Sequence, residues 1–127
     1  MSRQPELWIV DDDASIRWVL EKALHKADFR VASFEDADQA VAALQRQEPD
    51  AILTDVRMPG MGGMALLEEL GSRHPDIPVI IMTAHSDLDS AVAAFEGGAF
   101  EYLPKPFDIA EAVDLATRAC QARRDQG

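Results

Sequence analysis

Five short apolar runs, separated by stretches patterned like helices, constrain this chain more than any other feature of its sequence. "LWIVD" (7–11), "RVASF" (30–34), "AILTDV" (51–56), "PVIIMT" (78–83) and "FEYL" (100–103) read as strands. The middle runs are apolar on consecutive residues, the pattern of strands whose sheet is covered by helices on both faces. Between the runs lie stripes at helical spacing: Ile16, Val19, Leu20, Ala23, Leu24 and Ala27; Ala37, Ala40, Val41 and Leu44; Leu66, Leu67 and Leu70; Leu88, Ala91, Val92 and Phe95; Ile109, Ala112, Val113 and Ala116. Strands alternating with helices build βαβ units and a parallel sheet, and right-handed crossovers spread the helices over both faces. The expected fold class is therefore α/β, with a single five-stranded parallel sheet. A chain of 127 residues suits one domain, 1–127. Its last stretch, "QARRDQG" (121–127), reads as a frayed tail or linker.

Charge narrows the partners. With 23 acidic and 12 basic residues the net charge is −11, which makes the domain a poor binder of phosphate backbones and better suited to cations or basic surfaces. Direct nucleic-acid binding is not expected of it. No window approaches the ~18 apolar residues of a membrane span, and "MSRQPE" lacks the apolar core of a signal peptide. Cys120 is the only cysteine, so no internal disulfide forms. These features fit a cytoplasmic protein with no membrane attachment.

In a parallel α/β sheet ligands bind beyond the carboxyl ends of the strands. The residues expected there are Asp11, Asp12 and Asp13, Asp55, Thr83 and Lys105. Taken singly, each has an ordinary explanation. An aspartate triplet before a helix is more often a cap than a metal site, Asp55 ahead of "MPGMGG" suits a turn, and a strand-terminal Thr or a Lys between prolines is unremarkable. Together they form one constellation. Clustered carboxylates suit Mg²⁺, which takes one or two of them along with waters and phosphate oxygens. An aspartate beside that ion can act as a nucleophile toward phosphorus, with a lysine and a hydroxyl meeting the charge on the phosphoryl oxygens.

"VDDD", "LTDVRMPGMGG", "VIIMTA" and "YLPKPF", in that order, resemble the receiver domains of bacterial response regulators over about residues 7–120. "DDDASIRWVLEKAL", "MTAHSDLDSAV" and "GGAFEYLPKPFDIAEAV" are similar to the receivers of NtrC-type nitrogen-regulation activators in particular. The resemblance implies a flavodoxin-like receiver fold with strand order 2-1-3-4-5. It implies that Asp55 is the phosphoacceptor for a sensor histidine kinase, and that Asp12 ligates Mg²⁺ directly with Asp11 acting mainly through water. Asp55 and the main-chain carbonyl of Arg57 complete the ligands, and Thr83 and Lys105 grip the phosphoryl oxygens. Tyr102 follows the state of Thr83, and the peptide bond to Pro106 is cis. Such a domain is no enzyme toward a separate substrate, although it assists its own phosphorylation and slow dephosphorylation. Its implied partners include a second copy on activation, and the ATPase and DNA-binding domains of a longer chain that activates sigma-54-dependent transcription.

Two departures from the family pattern stand out. Gly62 replaces the usual Asp before the third helix, where loss of a capping carboxylate to Gly costs only about a few tenths of a kcal/mol. Asp28 stands where a glycine is common after the first helix, and it can take the left-handed conformation at some cost. Trp18 lies opposite its helix's apolar stripe and is expected to be exposed, either incidentally or as a kinase contact. Ala93 and Ala94 on the fourth helix are expected outside the core stripe, either simply as good helix formers or on a partner surface that shifts with phosphorylation and includes Leu88 and, nearby, His85. His25 and His74 read as solvent-facing. Two other enzyme or carrier classes fit less well. A haloacid-dehalogenase phosphatase needs a second Asp where Arg57 stands, and a flavodoxin needs a Ser/Thr/Gly-rich phosphate loop in place of "DDDAS". A pseudo-receiver that binds without phosphorylation would not need Asp12, Asp55, Thr83 and Lys105 intact.

Overall fold

A computed structural model describes residues 4–58, 62–84 and 87–126, with Leu88 and Gln126 described by backbone alone. The elements run β1 (Glu6–Val10), α1 (Ala14–Lys26), β2 (Arg30–Phe34), α2 (Ala37–Leu44), β3 (Ala51–Asp55), α3 (Gly63–Arg73), β4 (Val79–Ala84), α4 (Leu88–Glu96), β5 (Glu101–Lys105) and α5 (Ile109–Gln126). The five strands form one parallel sheet in the order β2-β1-β3-β4-β5. This is the expected α/β architecture and strand order.

Because successive strand side chains point to opposite faces, each buried strand feeds two cores. Leu7 and Ile9 of β1, Leu53 of β3, and Ile80 and Met82 of β4 join Leu20 and Leu24 of α1 and Ala112, Leu115 and Ala116 of α5. Trp8 and Val10, Ile52, and Val79 and Ile81 join Ala37 and Leu44 of α2, Leu66, Leu67 and Leu70 of α3, and Ala94 of α4. Two layers of helices thus sandwich the sheet, which is why its strands read as continuous apolar runs.

Three details differ from the sequence reading. Among the described side chains of α4, Ala91 and Ala94 are buried, while Val92 and Phe95 are about half exposed. Two small residues one turn apart let the helix lie close to the sheet, so its apolar stripe is rotated from the expected one. The segment 121–126 is helix rather than a frayed tail. Arg123 holds it by donating to the Pro49 carbonyl at 2.8 Å and pairing with Glu48 at 2.8 Å and with Asp76 at 3.3 Å. His74, the C-cap of α3, faces Glu48 at 3.0 Å instead of solvent alone. Other expectations hold: Asp28 has φ of 70°, the Lys105–Pro106 bond is cis, and Gly62 caps α3 without a side-chain hydrogen bond. No helix among the described residues is long and apolar enough to cross a membrane.

The junction of β3 with α3 needs a glycine. The Gly63 N–H donates to the Val56 carbonyl at 3.0 Å, and a Cβ at 63 would lie 2.1 Å from the Asp55 carbonyl oxygen. Backbone on both sides cannot move aside cheaply, so Gly63→Ala should destabilise the domain by about 1–3 kcal/mol, the usual range for overpacking. Urea unfolding of the two proteins measures the difference.

Candidate functional site

Parallel pairing brings the carboxyl ends of the strands to one edge, and the polar residues arrive there by register. Val10 pairs with Thr54, Asp55 with Met82, and Ala84 with Lys105. The acids therefore emerge at the centre of the sheet, just past β1 and at the end of β3, where the strand order reverses. Asp11, Asp12 and Asp55 each present a carboxylate oxygen, and these three atoms lie within 4.8 Å of one another. Asp11 is buried, Asp55 partly buried and Asp12 exposed.

Lys105 reaches across from β5. Its Nζ lies 2.8 Å from Asp11 Oδ2 and 3.1 Å from Asp55 Oδ1. Burial alone would favour the neutral amine, but the hydrogen bonds and charges of Asp11 and then Asp55 outweigh it and hold the ammonium above its ordinary pKa. At Asp55 the surroundings disfavour the ionised form. Burial, and next the charge of Asp11, raise its pKa, and Lys105 offsets only part of this. Three carboxylates against one ammonium leave two net negative charges when all are ionised. A hard divalent cation with oxygen ligands fits that donor set in both charge and chemistry.

Asp11 is held at every polar group. Its N–H donates to the Phe34 carbonyl at 3.1 Å, and its carbonyl accepts from Arg17 Nη1 at 2.7 Å. Oδ1 accepts from the Asp13 N–H at 2.9 Å, and Oδ2 faces Lys105. Asp13 has the ordinary role: Oδ1 caps α1, accepting from the N–H groups of Ser15 and Ile16.

The remaining candidates fall around this centre. Thr83 is buried near the end of β4, paired in register with Pro104. Tyr102 sits two residues earlier on β5, edge-on to Phe95 with ring centroids 5.8 Å apart. Arg57, just past Asp55, is exposed and pairs with Asp87 at 3.0 Å. Asp87 is also the N-cap of α4, accepting from Ser90, and those two bonds hold its carboxyl below its usual range. Trp18 is exposed as expected, with the Lys22 ammonium 5.3 Å from its ring centroid. His85 lies outside the described residues, as does the side chain of Leu88. Sequence reasoning passed over Arg17 and Asp87, both of which act on backbone or on partners distant in sequence. A cation in the first turn of α1 was the available signal for the former.

A polar pocket of about 840 Å³ lies at the opposite edge, where the strands begin, lined in part by Glu6, Arg30, Gln47, Asp50 and Arg123. Part of that lining is paired within the wall: Glu6 pairs with Arg30 at 3.0 Å and also accepts from Trp8 Nε1 and Gln47.

Comparison with known proteins agrees with the geometry. A family described as the response regulator receiver domain matches residues 7–117. The DNA-binding transcriptional regulator NtrC of Salmonella typhimurium is 58% identical over 120 residues, covering 94% of this chain and 26% of the relative. The C4-dicarboxylate transport transcriptional regulatory protein DctD of Rhizobium meliloti is 38% identical, covering 98% of this chain and 27% of its own length. Among solved structures, the apo receiver domain of nitrogen regulatory protein C is 57% identical with a TM-score of 0.85, covering 94% of this chain and 97% of that one. NtrX of Brucella abortus is 28% identical with a TM-score of 0.91, covering 98% of this chain and 28% of that one. The chain thus spans about a quarter of the curated relatives it matches.

The raised pKa of Asp55 has a consequence for stability. A carboxyl whose pKa is higher folded than unfolded favours the fold at acid pH, and that contribution is lost as pH rises from the ordinary value of 3.8 through the folded one. Asp55→Asn should therefore stabilise the cation-free domain at neutral pH, and its advantage should shrink as pH falls toward 3.8. Denaturant unfolding at neutral and acid pH checks the sign.

Proposed function

Because this chain belongs to the response regulator receiver domain family, we propose that Asp55 accepts a phosphoryl group from a phosphohistidine of a sensor kinase in a two-component system. An Asp55 oxygen forms the new O–P bond as the donor's N–P bond breaks, and the imidazole leaves with its electron pair. The observation that carries this reading is the placement of Asp55. Its carboxylate is partly buried at the end of a central strand, 3.1 Å from Lys105 and clustered with Asp11 and Asp12.

Each neighbour then has a task. Asp12 and Asp55, with the main-chain carbonyl of Arg57, are the groups that would hold Mg²⁺ directly. Asp11, whose oxygens already serve Lys105 and the Asp13 N–H, would act through water. The cation supplies charge neutralisation on the phosphoryl oxygens. Lys105 pairs with one of those oxygens, and the Thr83 hydroxyl donates to another. Once Lys105 and Thr83 turn to the phosphoryl group, the packing of Tyr102 against Phe95 and the half-exposed Val92 and Phe95 of α4 become the surface that reports it.

Phosphorylation of that kind switches the α4–β5 face, through which the domain governs a transcription-activating, NtrC-like output that depends on sigma-54. A longer chain with ATPase and DNA-binding domains suits the length of the relatives, and pairing of two receivers on activation is part of the same reading. The domain modifies itself, with slow dephosphorylation, rather than turning over a separate substrate. A cytoplasmic setting follows from the kinase partner.

Incubation with a small phosphodonor and Mg²⁺ should add about 80 Da, the mass of one phosphoryl group, to the wild type and nothing to Asp55→Asn. Intact mass reads this, and an unmodified wild type rejects the proposal. Trp18, exposed on the helix that follows the acidic triplet, is proposed to contact the kinase. Trp18→Ala should slow transfer from the kinase about tenfold, equivalent to about 1.4 kcal/mol, while leaving the rate with a small phosphodonor unchanged. Equal rates from the kinase remove the docking role.

A further inference from the structure

Asp12 is the one carboxylate of the cluster that nothing holds directly. It is exposed, and among the described residues its side chain has no hydrogen-bond partner. Its orientation depends on the two peptides that flank it. The Asp12–Asp13 peptide is held by its N–H, which donates to Asp11 Oδ1 at 2.9 Å. The Asp11–Asp12 peptide is held by its carbonyl, which accepts from Arg17 Nη1 at 2.7 Å. Arg17 is therefore the only side chain outside the triplet, among the described residues, that fixes the backbone of Asp12.

The place of Arg17 supports a role beyond helix formation. It lies in the first turn of α1, where the helix dipole disfavours a cation, and that turn carries no acidic residue. Its side chain points back over the N-terminus to the loop. A residue that breaks a local preference and gains a specific long-reach bond is the kind of inconsistency expected at a functional site.

We propose that Arg17 is a positioning residue for cation uptake: it pins the Asp11–Asp12 peptide and so presents the Asp12 carboxylate to a divalent metal ion. The proposal rests on the reading of Asp11, Asp12 and Asp55 as that ion's site. Its sign separates it from a purely electrostatic effect. If Arg17 were only a nearby charge, removing it would relieve repulsion and tighten cation binding. If it positions Asp12, removing it weakens binding although a repelling charge has gone.

Mg²⁺ titration of the 127-residue chain, followed by calorimetry or tryptophan fluorescence, tests this without any phosphoryl transfer. Arg17→Met should raise the Mg²⁺ dissociation constant about tenfold, the lower end of losses for residues that orient metal ligands. In the absence of the ion it should also speed amide exchange at Asp12 and Asp13. Arg17→Lys should recover part of the affinity, and Asp13→Ala, which removes only a helix cap, should leave it near wild type. Should Arg17→Met fail to fold by circular dichroism, Arg17→Gln, too short to reach the carbonyl, takes its place. Affinity equal to or tighter than wild type in the neutral variant overturns the role of Arg17. A wild type that does not bind Mg²⁺ overturns the cation site itself, a separate failure.

Discussion

Mutual repulsion among Asp11, Asp12 and Asp55 is the constraint to which the rest of this molecule answers. Three carboxylates have oxygens within 4.8 Å of one another, at the mouth of a sheet whose strands are buried on both faces. In that setting ion–ion energies exceed their values in water, and among the described residues Lys105 is the cation that pairs with the acids to oppose them. Burial, and next the charge of Asp11, keep the Asp55 pKa raised despite the ammonium 3.1 Å away. An acidic cluster of this sort has the charge and the oxygen donors that suit a divalent cation.

The surrounding fold keeps that cluster together. Asp11 cannot relax away, because its backbone is bonded to Phe34 and Arg17 and its carboxylate to Asp13 and Lys105. Asp55 is confined by Gly63, whose lack of a side chain lets α3 start directly against the Asp55 carbonyl. At the far edge the ion pair Glu6–Arg30 joins the starts of β1 and β2, and Glu48–Arg123 ties the segment before β3 to α5. Beyond β4 and β5 lies α4, where Ala91 and Ala94 are buried and Val92 and Phe95 are half exposed.

Much of the site is legible in the sequence, for a physical reason. Parallel strands force their carboxyl ends to one edge, so the residues that end the apolar runs are neighbours in space whatever the details of packing. Asp11, Asp12, Asp55, Thr83 and Lys105 could be grouped on that basis alone. The division within the triplet was legible too, because an acidic residue just ahead of a helix caps it, as Asp13 does. Less legible were features that depend on which of several allowed contacts is made. The face that α4 buries is one of these, since its periodicity admits two neighbouring stripes and the close approach permitted by Ala91 and Ala94 chooses between them. The last turns of α5 looked like a tail because "QARRDQG" has little apolar content. They are helix because Arg123 finds Glu48, Asp76 and the Pro49 carbonyl from segments far away in sequence.

By itself the sequence determined the fold class, the strand order through the resemblance, the edge at which the chemistry gathers, and the residue types available there. Those follow from local periodicity and from chain connectivity, which a linear string carries in full. The tertiary structure alone decided how the charges are shared: that Lys105 spans Asp11 and Asp55, that Asp11 is saturated while Asp12 stays open, that Arg17 turns back to brace the loop, and that Arg57 pairs with the cap of α4. Hydrogen bonds and ion pairs depend on distances of a few tenths of an ångström between residues up to 94 positions apart. Only the folded chain sets those distances.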